Sequence, residues 1–549
     1  MGENIHMEQK TSAKEAFANI DKILFFVPLI LVLILSALIF LFPEASNSVI
    51  NWCFAVVTGS FGWTMQIFFF LNVFIMLYLI FGKYGKKKFG VEKPEFSTPA
   101  WLGLLFTGGT SATVVYWGAI EWLNYLEAPP FGAEAFSNEG LQWATSYSFF
   151  NWGPASLGLY SVVGVVFGFL FFVRKKETNR PSVACESLLK QSTHGWAGKL
   201  IDIVYMFGII GGVGASVGLS TPLLAEILHF FFGIENGLAL NAGLVVFWTI
   251  VFIVGVYGGL KKTIEKMSNW RIYLLILGFL AVFIFSNKTF VMQTFMDGIG
   301  NVFNNYLKLN FYSDSLETDG GFPQNWTIFF YAWWLAYALS TGIYMARISK
   351  GRSVRELVVG GSAVTIVCIW LHFIILGYYS VEVYQEGIID VVSIYQESGP
   401  YTAIIAIWNT LPLAKVWIFV FALLIFISGV TVINGTAYTL SIVSTKKLKG
   451  TEEPAKLSRV FWAFALGAIG LALIFLGGLK PVQTACVCTG FLTLIIIALI
   501  LFTFFKYDIK EWDILLEKQV PKKEAFKSQD EDRKAVETFA DDESQQVCI

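Results

Sequence analysis

The sequence predicts an all-α polytopic membrane protein with about twelve transmembrane helices, and two observations carry that reading. Hydrophobic residues make up 55% of the 549 residues and charged residues only 14%. That is too little polar surface to coat the several cores a soluble chain of this length would need. Apolar runs long enough to cross about 30 Å of hydrocarbon also recur from end to end. The same composition excludes a soluble enzyme. A formal net charge of −1 excludes the basic face that a nucleic-acid partner requires.

The expected spans lie near 23–42, 62–82, 99–123, 144–173, 200–231, 238–259, 270–290, 326–346, 358–380, 412–443, 458–478 and 482–505. Several are too long for one perpendicular crossing, which predicts tilted or broken helices. Polar residues 1–21 form an N-terminal segment, 22–506 the membrane domain and 507–549 a C-terminal tail. Connecting segments alternate in character. Lys83, Lys86, Lys87 and Lys88 follow the second span, Arg174, Lys175 and Lys176 the fourth, and Lys261, Lys262 and Lys266 the sixth. Arg347, Lys350, Arg352 and Arg355 follow the eighth, and Lys446, Lys447 and Lys449 the tenth. The intervening segments (Pro43 to Ser60, Glu127 to Glu139, the Ser313–Asp319 region and Glu382 to Glu397) are acidic or neutral. Basic loops stay in the cytoplasm. The expectation is a cytoplasmic-membrane protein with an even number of spans and both termini inside.

No chemistry of the enzymatic kind is visible. The six cysteines form no paired CxxC set, so neither zinc nor an iron–sulfur cluster is expected. The sequence has no Walker loop and no HExxH. No cofactor is expected, and transport is the function that remains. Glu121, Glu226, His229, His372 and Lys415 fall within the spans, where ionisable groups are functional candidates. Structural hydrogen bonding is the favoured reading of Glu121 and packing that of His372. The glycines Gly208, Gly211, Gly212, Gly214 and Gly218 leave a groove on the fifth span, as close helix packing requires.

The eighth span carries Trp326, Phe329, Phe330, Tyr331, Trp333, Trp334 and Tyr337. On a helix, Trp333 and Tyr337 lie about 40° apart and Trp334 about 100° from Trp333, making an aromatic corner. Trp326 returns to nearly the same face about 10 Å nearer the outer end. A cation with no N–H donor is held by aromatic faces rather than by hydrogen bonds, at roughly 0.5–2 kcal/mol or more per desolvated contact. Such a corner suits a trimethylammonium group. The competing reading is an interfacial aromatic belt.

The runs Gly320-Gly321-Phe-Pro-Gln-Asn-Trp326, Ala332-Trp333-Trp334 and Ala346-Arg347-Ile-Ser-Lys-Gly-Arg352-Ser-Val-Arg355-Glu356 resemble those of the betaine/choline/carnitine transporter family. Tyr116-Trp117-Gly118, Asn151-Trp152-Gly153-Pro154 and Gly214-Ala215-Ser216-Val217-Gly218 extend the resemblance, which is nearest to the carnitine/γ-butyrobetaine antiporters. It implies a leucine-transporter-like fold: two inverted five-helix repeats, spans 3–7 and 8–12, preceded by two extra helices. It implies that Trp333, Trp334, Tyr337 and Trp152 hold substrate and that Trp326 marks an outer, regulatory site. A homotrimer in the lipid bilayer is also implied. Two positions depart from the antiporter pattern: Asn124 stands where a cage tyrosine is expected, and Thr341 where a methionine is expected. Either is a candidate contact for a substrate hydroxyl or carboxylate, or a neutral packing change.

Sodium-coupled members carry a glycine-rich stretch in the third span; here it reads Gly109-Thr110-Ser111-Ala112-Thr113. They also carry adjacent hydroxyls in the tenth span, where this chain has Val430-Thr431-Val432. A valine offers no oxygen to a hard cation. Arg271, at the start of the seventh span, matches the antiporter arginine taken to stand in the sodium site. The competing reading of Arg271 is a positive-inside residue at a helix end. These features together predict sodium-independent exchange of quaternary-ammonium carboxylates. The rivals are sodium-coupled glycine betaine or choline uptake for osmoprotection, and a membrane sensor that binds betaine without moving it.

Overall fold

The computed structural model describes residues 19–108, 112–176, 178–257, 261–446 and 454–519. The segment before Asn19, the tail beyond Gln519 and the Gly109-Thr110-Ser111 part of the sodium comparison lie outside the described residues. Helices longer than one turn are α1 Lys22–Leu41, α2 Pro43–Ala55, α3 Phe61–Phe81, α4 Thr98–Gly108, α5 Ala112–Glu127, α6 Asn138–Asn151 and α7 Pro154–Gly168. There follow α8 Trp196–Phe232, α9 Leu238–Tyr257, α10 Lys261–Phe285, α11 Lys288–Phe311, α12 Thr327–Arg347, α13 Val354–His372 and α14 Tyr378–Gln385. The last are α15 Val391–Trp408, α16 Ala414–Val443, α17 Lys456–Leu476, α18 Lys480–Lys506 and α19 Trp512–Glu517. Among the described residues there is no strand, only the isolated bridges Ile20–Thr445 and Lys88–Ser353.

Every backbone polar group in hydrocarbon must be satisfied within the chain, which is why each apolar run folds as helix. Among the described residues nine helices are long and apolar enough to cross a bilayer, or ten if the bent pair Asn269–Phe285 and Lys288–Phe311 is one span. The expected third span is divided between α4 and α5, and the apolar stretch of α9, Leu238–Val254, is short. Length and hydropathy therefore account for nine or ten of the twelve expected spans.

Three helices lie where connectors were expected. α2 occupies most of Pro43 to Ser60. α11 turns 106° away from α10, starting where the Asn287 side chain accepts from Phe290 N at 3.2 Å. α15 bends at Gly399 (φ 84°), followed by Pro400.

The interior is built on close approach, because lipid tails compete with any merely apolar contact. α12 packs along α7 and α18, and α8 along α17 and α18. A Cβ on Gly490 of α18 would stand 2.1 Å from Ala332 O of α12, so only glycine lets those backbones meet beside Trp333. The expected groove on α8 is used in the same way: a Cβ on Gly212 would fall 2.9 Å from the Tyr337 ring.

Loops at one end of the bundle interlock through Asp314 and Asp319. The Asp314 carboxylate accepts from Thr318 N (2.9 Å) and Gly321 N (2.9 Å). The Asp319 carboxylate accepts from Gly132 N (3.0 Å) and Tyr312 Oη. At the opposite end Asp21 N donates to Ser444 O (2.8 Å), and Arg174 pairs with Asp508 and Glu511, each at 2.8 Å. The buried Trp512 packs on Phe89, Phe169 and Phe504. The segment 508–517, the start of the expected C-terminal tail, is therefore docked on the membrane domain.

Candidate substrate site

The site begins with a broken helix. α6 ends at Asn151 because Gly153 is extended (φ −96°, ψ −171°) and Pro154 opens α7. Proline has no N–H to continue the ladder but suits a first helical turn. The break leaves carbonyls without helical donors. Indoles supply them: Trp334 Nε1 donates to Asn151 O at 3.0 Å, and Trp370 Nε1 to Trp152 O at 2.9 Å. The break in the fourth span and the aromatic corner of the eighth thus hold each other.

Four expected residues come together there. Trp152 and Trp334 meet nearly edge to face, 4.4 Å between centroids, and Trp333 lies 6.3 Å from Trp334 in a near-parallel arrangement. Tyr337, one turn on, bonds through its hydroxyl to Ser216 Oγ of α8 at 2.8 Å. Trp333 is 3% and Trp334 5% exposed. These rings face the protein interior and not lipid, unlike an interfacial belt. Thr341 is half-buried one further turn along α12.

Trp326, at the start of α12, is buried against Tyr125 (5.0 Å) and Trp117 (6.2 Å). Trp117 also touches Trp333 at 6.1 Å and Phe330 at 5.3 Å. It is the ring that joins Trp326 to the inner cluster, and helical geometry of the eighth span alone has no means of finding it. Phe330 likewise lies 5.3 Å from Trp152.

Asn124 is not in this cluster's bonding. Its Oδ1 accepts from Tyr395 Oη of α15 at 2.8 Å, and its Nδ2 donates to Ile120 O at 3.2 Å. Glu121, one turn before Tyr125, accepts from Tyr125 Oη (2.7 Å) and from Trp152 Nε1 (2.9 Å). Asn151 Nδ2 donates to Tyr125 Oη at 2.9 Å. This fully buried carboxylate therefore orients the Trp152 indole, as the hydrogen-bonding reading expects. His372 is buried too, with Nδ1 2.9 Å from Cys368 O and its ring edge-on to Phe279.

Residues 23–512 match the BCCT, betaine/carnitine/choline family transporter. The chain belongs to the BCCT family. It is accordingly an all-α multi-pass membrane protein and a secondary transporter of betaine/choline/carnitine-type substrates, not an enzyme. For a BCCT protein the buried, nearly donor-free ring surface between the broken fourth span and the eighth has the right chemistry for an onium headgroup.

Arg271 stands apart from the aromatic cluster. It is 8% exposed on α10, and its Nη1 donates to Thr431 Oγ1 of α16 at 3.2 Å. Thr431 also donates to Ser428 O at 2.9 Å. A residue serving only the positive-inside rule sits at the interface, with its charge in water. This guanidinium instead lies between two helices, on the one hydroxyl left between Val430 and Val432.

Proposed function

We propose that the protein exchanges quaternary-ammonium carboxylates, carnitine against γ-butyrobetaine or a related betaine, without sodium. Trp333, Trp334, Tyr337 and Trp152 hold the trimethylammonium group, Trp326 serves an outer regulatory site, and Thr341, one turn past Tyr337, contacts the substrate's hydroxyl or carboxylate. Asn124 is assigned instead to the link between α5 and α15. Access alternates as one of two inverted repeats, spans 3–7 and 8–12, rocks against the other. Both termini lie in the cytoplasm, and three copies assemble.

The observation that carries the sodium-free reading is the Arg271–Thr431 contact. A fixed guanidinium there supplies the positive charge that an ion otherwise brings, so no gradient is consumed. Flanking valines leave too few oxygens for a hard cation.

The test is counterflow in proteoliposomes preloaded with γ-butyrobetaine, with labelled carnitine outside and sodium replaced by potassium. Labelled carnitine accumulates without sodium and only into preloaded vesicles if the proposal holds. Uptake into empty vesicles that requires sodium replaces it with sodium-coupled accumulation, and binding without counterflow replaces it with a sensor.

A further inference from the structure

A second site lies away from the aromatic cage, at the end of the bundle that the acidic and neutral connectors place outside. Here a cavity of about 390 Å³ is lined by α8, the start of α9 and the loop before it, α15, α17 and the start of α18. Glu226 in its wall is 8% exposed. Its carboxylate accepts from Asn236 Nδ2 at 2.7 Å and Thr402 Oγ1 at 2.9 Å. Among the described residues no Lys, Arg or His pairs with it, while buried carboxylates ordinarily require a counter-charge.

The neighbouring amide adds an independent sign. Asn241 is 4% exposed and its Oδ1 has no hydrogen-bond partner among the described residues. Its orientation is set by its other end, because Nδ2 donates to Asn236 Oδ1 (3.0 Å) and Gly237 O (2.9 Å), both acceptors. Pro222, lacking an N–H, also denies Gly218 O its usual helical donor. The cavity thus offers a ligand a carboxylate and, from Tyr401, an aromatic ring, with the Asn241 amide behind them.

We propose that this cavity is a cation-capture site in which the trimethylammonium end of the substrate rests on Glu226 and the Tyr401 ring before moving inward. It rests on the quaternary-ammonium reading above and deepens it. A metal ion is the wrong ligand, since a hard cation needs oxygens wrapped at about 2.3–2.6 Å. One side of this wall is apolar, formed by Leu473, Ile474 and Val482. A bulky, weakly hydrated onium ion fits both the size and the lining. A chain of ring contacts links the cavity to the cage: Tyr401 lies 5.5 Å from Tyr116, Tyr116 5.1 Å from Trp117, and Trp117 6.1 Å from Trp333.

The experiment measures exchange half-saturation separately from the two faces, and tetramethylammonium binding in a Trp333→Leu/Trp334→Leu background where the inner cage is gone. Glu226→Gln is expected to raise the outer half-saturation concentration about five- to tenfold and leave the inner one unchanged. The same substitution is expected to remove tetramethylammonium binding from the cage-less background. Glu226→Asp, which keeps the charge, stays near the wild type in both measurements, and Tyr401→Leu, but not Tyr401→Phe, weakens outer half-saturation and tetramethylammonium binding independently of the carboxylate. Equal outer half-saturation in Glu226→Gln and Tyr401→Leu, with tetramethylammonium binding intact, overturns the proposal. If the wild type exchanges no quaternary ammonium at all, the carrier reading fails, while the tetramethylammonium measurement still judges this site.

Discussion

Trp334 makes two contributions that substitution can separate. Its Nε1 donates to Asn151 O at the helix break, and its ring faces Trp152 and Trp333 at 4.4 and 6.3 Å. Phenylalanine and leucine both delete the donor, leaving a buried carbonyl unsatisfied at a cost of about 1–3 kcal/mol. Only leucine deletes the aromatic face. A cation–ring contact is worth about 0.5–2 kcal/mol, and about 1.4 kcal/mol is tenfold in affinity. Trp334→Leu should therefore weaken substrate about twofold to thirtyfold beyond Trp334→Phe, while both variants unfold earlier in a thermal scan by similar amounts. The assay is binding of labelled betaine to purified protein in nanodiscs, with a neutral tert-butyl analogue of the substrate as control. Trp334→Leu should reduce the preference for the charged over the neutral headgroup by about the same factor. Equal affinity loss in the two variants, with that preference retained, refutes the ring-face argument.

Arg271→Ala should abolish sodium-free exchange or make it cation-dependent; unchanged sodium-free counterflow in that variant removes Arg271 from the coupling site. Glu121→Ala strands the Trp152 indole N–H and the Tyr125 hydroxyl, so substrate affinity should fall together with thermal stability, and Glu121→Gln, which still accepts from one of them, should be milder. Partial burial pushes the Asp314 carboxyl up, but the N–H groups of Gly321, Asp319 and Thr318 outweigh it and hold the group below the usual carboxylate range. A lowered folded-state value stabilises the loop above the unfolded value near ~3.9, and the contribution disappears as pH falls through the folded value. Protection from hydrogen exchange across 312–321, taken relative to the intrinsic rate at each pH, should hold down to about pH 4 and fall below it, whereas Asp314→Asn should show less protection at neutral pH and lose that acid step.

Much of the scaffold was readable because a bilayer imposes one simple rule on the chain. Long apolar runs such as Lys22–Leu41 and Ala414–Val443 have no alternative to helix. α11 escaped because Lys288, Asp297, Asn301, Asn304, Asn305 and Lys308 interrupt its apolar residues, giving an amphipathic pattern that a hydropathy window averages away. α15 escaped because Gly399-Pro400 reads as a turn, although the chain resumes helix after one kinked residue. In the site, the neighbourhood of Trp333, Trp334 and Tyr337 follows from helical spacing. Trp152 entered through the family resemblance, and its place beside them depends on where the fourth span breaks. Trp117 was visible within a motif, yet its bridging position between Trp326 and Trp333 is a fact of tertiary packing. The partner of Asn124 is Tyr395, 271 residues away, a pairing no local pattern encodes.

The docked segment 508–517 has a practical corollary for anyone handling this carrier. Trp512 is a plug: cutting the chain at Tyr507 would uncork Phe89, Phe169 and Phe504 and leave Arg174 without Asp508 and Glu511. Fusion partners and purification handles belong beyond Gln519, and a truncation series should show a sharp drop in yield and monodispersity between end points just after and just before that indole.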